Sequence, residues 1–207
     1  MPTPDSSDAS VTTLAILSLS ELSAFHRMAT DAQYAPTVRD SIDLSRIAGR
    51  SLAHFEALTD RIEDLGGDLP RLLAEAEPSF TAFRERTKPK DWYESLMKGY
   101  VYDGIMKDFS RAALGELDEA SHEVAVTALN DTRQADYLRE RLAAAVAGDP
   151  VLASRLALWG RKLVAETLHR VRELTEQFPR ASVDSAELTQ HALSEHSRRM
   201  SALGLVA

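Results

Sequence analysis

The chain has no cysteine among its 207 residues. Disulfides, thiolate metal sites and cysteine nucleophiles are excluded together. Any metal must be held by His and carboxylates, a donor set suited to iron, manganese or zinc. Glycine and proline are scarce, at 9 and 8 residues, and fall mostly at breaks between periodic stretches. No apolar run approaches the ~18 residues a membrane span needs, so no membrane partner is expected. The opening residues Met1-Pro-Thr-Pro-Asp5 lack the basic start and apolar core of a secretion signal, so the expected location is cytoplasmic. A basic excess is also missing. The formal net charge is −8, the wrong sign for an overall nucleic-acid footprint, so charge does not support tRNA as a partner.

What is present is helical periodicity. Hydrophobic residues make up 44% and charged residues 27%, values of an ordinary globular domain. The apolar spacing predicts helix A over 11–33, B over 37–65, C over 91–114, D over 119–147, E over 151–178 and a last helix over 185–203. Residues 1–10, rich in Pro, Ser and Asp, read as a disordered tail. Residues 11–178 read as the bundle and 179–207 as a peripheral C-terminal helix. The apolar line of that helix, Leu188, Ala192, Met200 and Leu203, suits a side contact or a homodimer contact. The A–B, C–D and D–E connections are short, which makes those neighbours antiparallel. Between B and C lie residues 66–90 with Pro70, Pro78 and Pro89, read as a coiled connector with two short helical turns. That stretch can cross the ~30 Å length of a 20-residue helix. One long crossover amid four long helices gives an all-α, ferritin-like four-helix bundle with additional C-terminal helices.

Polar residues interrupt the apolar seams near mid-length. Glu21 breaks the line Leu14, Leu17, Phe25, Met28 on helix A. Ser51 and His54 stand together on B, Asp103 on C, and Asp131 with Gln134 on D. Carboxylates buried without a partner are costly, so four such interruptions demand a common one. The spacing of a pair at i and i+3 puts both side chains on one helix face. A di-metal centre is one candidate for that partner. A metal-free network, in which Asp103 and Asp131 face a charged His54, is the other.

The stretches Leu19-Ser-Glu-Leu-Ser-Ala-Phe25, His54-Phe-Glu-Ala-Leu58, Asp91-Trp92 through Tyr100-Val-Tyr-Asp-Gly104, and Leu156-Ala-Leu-Trp-Gly-Arg161 resemble a branch of the ferritin-like superfamily. That branch is the actinobacterial proteins similar to MiaE-type tRNA-adenosine hydroxylases. The resemblance implies an iron cofactor, a small-molecule or modified-nucleoside substrate, and metal ligands at Glu21, His54, Asp103 and Asp131. The chain departs from the pattern at three places. The first Glu-x-x-His reads Ser51-Leu-Ala-His54, the third ligand is Asp103 instead of Glu, and the second Glu-x-x-His reads Asp131-Thr-Arg-Gln134. Two Fe(II) bring four positive charges against three carboxylates. The expectation is a degenerate site that holds at most one ion tightly; the alternative is a metal-free bundle acting as a binding or structural module.

Overall fold

The computed structural model describes residues 6–177 and 185–207, with side chains 6–8, 116 and 185 left aside. Among the described residues eight α-helices follow one another: α1 Ser6–Gln33, α2 Val38–Asp64, α3 Leu69–Arg86, α4 Trp92–Ala112, α5 Glu119–Asn130, α6 Arg133–Gly148, α7 Pro150–Gln177 and α8 Ser185–Ala202. One 3-10 turn, Leu114–Glu116, lies between α4 and α5. Among the described residues there is no strand, and no helix is long and apolar enough to cross a membrane.

Local chemistry sets most of the ends. Thr37, Asp68, Asp91 and Asp118 cap α2, α3, α4 and α5, each accepting a backbone N–H from the first turn. Gly66, at φ 74°, takes the left-handed turn that ends α2. Its N–H donates to the Glu63 carbonyl, and that of Gly67 to the Ile62 carbonyl.

α1 and α2 pair along most of their length. α4 lies against α1, α6, α7 and α8, and α5 closes on α2. α3 crosses between α2 and α4, so the crossover bundle expected from the sequence is present. Three details differ from expectation. The connector is not coil with two turns but the 18-residue helix α3. Pro70 sits in its first turn, where a missing N–H is harmless, and Pro78 is carried inside it. Helix D is divided at Asp131 and Thr132 into α5 and α6. Helix α1 begins at Ser6, inside the segment read as a tail, and Ser10 is already buried. Residues 1–5 of that tail, and the expected end of helix E at Pro179, lie outside the described residues.

The apolar interior forms two clusters. On α1, Leu14 and Leu17 belong to one and Met28 and Ala32 to the other. On α2 the order reverses, with Leu44 and Ile47 in the second and Leu58 and Ile62 in the first. Ala125 and Leu129 on α5 and Leu138 and Leu142 on α6 repeat the division. The polar residues of α1, of α2 and of the α5–α6 junction fall at the boundary, as one layer across the bundle. α8 buries Leu188, Ala192, Met200 and Leu203 in the larger cluster. A Cβ at Gly160 of α7 would meet Met200 Cε at 2.9 Å, so the missing side chain there seats α8.

Candidate functional site: a polar layer inside the bundle

Glu21 of α1, Ser51 of α2, Asp103 of α4 and Gln134 of α6 are all buried. His54 of α2 lies between two carboxylates, with Nδ1 3.5 Å from Glu21 Oε2 and Nε2 3.7 Å from Asp131 Oδ2. The helix break makes the second contact. Asp131 adopts an extended backbone as the residue following α5, and its Oδ1 accepts from Arg133 N at 3.0 Å and Arg133 Nε at 2.9 Å. An Asp that accepts the N–H two residues on replaces a helix bond by a local turn. The carbonyls freed at the break are taken by α4. Lys107 Nζ donates to Asp131 O at 3.0 Å, and Arg111 Nη2 to Leu129 O at 2.7 Å.

Asp103 is bound differently. Its Oδ2 accepts from Gln134 Nε2 and from Arg27 Nη2 of α1. Arg27 reaches it over Gly99. A Cβ there would stand 3.2 Å from Arg27 Nε and 3.1 Å from Leu138 Cδ1, so the glycine leaves the passage. The polar layer therefore has two halves, Glu21–His54–Asp131 and Arg27–Asp103–Gln134.

The electrostatics follow. Burial pushes the Asp103 carboxyl above its ordinary range, while Arg27 and Gln134 pull the other way and Glu21 adds repulsion. Burial acts upward on Asp131 too, but hydrogen bonds from Arg133 and the charges of Arg133 and His54 outweigh it, and its carboxyl is lowered. Arg50 Nη1 adds a cation 3.9 Å from Asp131 Oδ2. Three arginines, Arg27, Arg50 and Arg133, thus attend Asp103 and Asp131, while Glu21 faces His54. A cavity of about 10 Å³ remains at the Glu21–His54–Asp131 half, the room of one water. A larger one of about 130 Å³ approaches Asp103, Asp131 and Gln134 from the side of α8.

The four residues singled out from the sequence thus lie in one layer but in separate pairings. Among the described residues, no three His or carboxylate side chains are grouped closely enough to hold an ion. Arg27, Lys107 and Arg133 were not singled out. Arg27 and Lys107 stand off the apolar seam and enter through the length of their side chains. The remaining signal for them was a surplus of buried carboxylates without cations.

The family model described as "Ferritin-like domain, actinomycetes" matches residues 5–189. No curated protein matches the chain. Among solved structures, the chain is similar to "Protein 19 with aldehyde deformylating oxidase activity from Synechococcus". The TM-score is 0.79 at 17% identity, over 98% of this chain and 94% of that one.

Proposed function

Because the chain belongs to the actinomycete ferritin-like domain family, we propose that its bundle keeps the place of a di-metal centre but fills it with its own ion pairs, and serves as a binding module rather than a di-iron oxygenase. The observation that carries this reading is the guanidinium of Arg27 on Asp103, with Gln134 on the same oxygen. An arginine stays protonated under all ordinary conditions. It brings to Asp103 the positive charge that an ion would bring, and a metal beside it would meet repulsion in a low-dielectric interior.

The donor set points the same way. A bridged pair of ions needs carboxylates that touch both metals and charge enough to balance them. Ser51 offers no bridge and Gln134 no imidazole. Of the three carboxylates, Asp103 is held by Arg27, and Asp131 by Arg133 through two hydrogen bonds. The residues do not fit a pair of ions. A single ion has one place to enter, between Glu21, His54 and Asp131. It would have to displace Arg133 and draw side chains now about 3.5 Å apart onto itself. The reading is therefore at most one ion per chain.

The test is metal analysis of the purified full chain, followed by an iron titration with calorimetric readout. The expected result is no more than one equivalent, readily removed by a chelator. Two tightly held equivalents would overturn the reading, whatever activity accompanied them.

A further inference from the structure

Between α1, α3 and α4 lies a cavity of about 260 Å³. Its apolar wall is aromatic. Phe80 and Phe83 come from α3 and Tyr102 from α4, with the Phe83 and Tyr102 rings 4.6 Å apart. Its other wall is charged, and the charges do not match. Arg84 is bound outward to Glu77, and Arg27 is bound to Asp103. Among the described residues, Lys98 has no carboxylate within ion-pair distance. Its ammonium donates to the Thr87 carbonyl at 3.1 Å and lies 5.1 Å from the centre of the Phe83 ring, with the residue only 8% exposed. Asp31 is the one carboxylate on the lining. It is 5% exposed, and its Oδ2 has no hydrogen-bond partner.

Behind the aromatic wall stands a further cation. Arg170 of α7 is fully buried, with its guanidinium 3.1 Å from the centre of the Phe80 ring and with Tyr102 and Glu173 as its polar neighbours. With Arg27 and Arg84 each held by a carboxylate, the cavity is left with Lys98 and, behind its wall, Arg170 against the single lining carboxylate of Asp31. Buried charges without partners are costly, so this arrangement invites an anion that completes it. The rings call for a flat apolar body on the same molecule.

We propose that this cavity binds a small aromatic carboxylate, its anionic end between Lys98 and Asp31 and its ring against Phe80, Phe83 and Tyr102. Burial pushes the Asp31 carboxyl up, beyond the opposing pull of Ser95 and Arg27. A second carboxylate beside it raises it further, so that the two groups share one proton when the ligand is bound. The volume lies just under the range usual for small-molecule sites and suits one or two rings. Inorganic phosphate would satisfy Lys98 but leave the rings bare.

The pH dependence has a definite sign. Burial first, then Arg27 and Arg84, lowers Lys98 to about 8, against the opposing pull of Asp103 and Asp31. His26 also lines the cavity. The anchoring charge is present at neutral pH and is lost as pH rises through that value. The proposal goes beyond the reading of the polar layer and stands without it, since neither Lys98 nor Asp31 pairs with His54 or Asp131. Iron analysis and ligand titration fail independently.

The experiment is a calorimetric titration of the full chain with cinnamate, its neutral amide cinnamamide, and inorganic phosphate, at pH about 7 and about 9.5. Cinnamate should bind saturably at the lower pH. The amide should bind at least about tenfold more weakly, and cinnamate itself should weaken at the higher pH. Lys98→Met should cost the same factor and Lys98→Arg should keep most of the affinity. Equal binding of acid and amide, an unchanged affinity in Lys98→Met, full competition by phosphate, or no binding of cinnamate at all would overturn the assignment. Should Lys98→Met fail to fold, the comparison of acid with amide and the two pH values on the unmodified chain decide the matter.

Discussion

Arg27 on α1 donates to the carboxylate of Asp103 on α4 inside the bundle, with each side chain only 11% exposed. Removing one partner of a buried ion pair leaves the other charge without compensation. Arg27→Met is accordingly expected to destabilise the fold by about 3–5 kcal/mol. The double variant Arg27→Met with Asp103→Leu should lose clearly less, because no orphan charge remains. Urea denaturation of the two variants and the parent checks this; equal losses would mean the pair is not coupled.

Iron uptake should depend on the same arginine. Ser51→Glu with Gln134→His restores the missing donors but leaves the guanidinium in place, so this pair is expected to bind about one equivalent. Adding Arg27→Leu frees Asp103 and should move occupancy toward two. Metal analysis after titration reads the result, and full occupancy without the third change would show that Arg27 is no obstacle.

Acid should loosen the helix α8. His196 is buried with both ring nitrogens unpartnered, and burial first, then Arg199, lowers it to about 4. Between about pH 6.5 and pH 4 the unfolded chain binds a proton that the folded chain refuses, so stability falls as pH falls through that window. The His196 share is of order 1–3 kcal/mol. Urea midpoints at pH 7 and pH 5 should converge in His196→Leu, whereas a drop as large as that of the parent would assign the acid sensitivity elsewhere.

Gly104 lets Arg199 of α8 reach Asp108 and the Gly104 carbonyl. A Cβ at Gly104 would stand 2.6 Å from Arg199 Nε. Gly104→Ala gains about 1 kcal/mol of helix propensity but evicts a guanidinium held at its far end. A net loss of about 1–2 kcal/mol is expected, with limited proteolysis cutting first near α8. A stabilised variant would show that Arg199 has another resting place.

The polar layer was legible because Glu21, His54, Asp103 and Asp131 break an apolar stripe whose period is fixed by helix geometry. The partners they take were not legible. Arg27 lies off the stripe, and only the three-dimensional gap at Gly99 shows why its side chain can arrive. The division of helix D carries no Gly or Pro. It is made by Asp131 turning its carboxylate onto the Arg133 N–H, a choice that depends on Lys107 and Arg111 from α4 to satisfy the carbonyls it frees. Helix α3 was obscured by Pro70 and Pro78, which read as breakers although one sits where a helix tolerates it and the other is carried inside the helix.

The dependence of the break at Asp131 on lysine and arginine from another helix makes the order of mutation matter. Straightening α5 and α6 into one helix would return the carbonyls of Leu129 and Asp131 to their own chain and release Lys107 and Arg111 to solvent. Removing those bases first would leave the carbonyls bare at the break. The second step leaves the carbonyl at buried Leu129 with nothing to bond, at a cost of about 1–3 kcal/mol, a large share of an ordinary domain's stability. A lineage that has taken this arrangement is thereby held in it, and descendants would be expected to vary the cavities around the layer more freely than the layer itself.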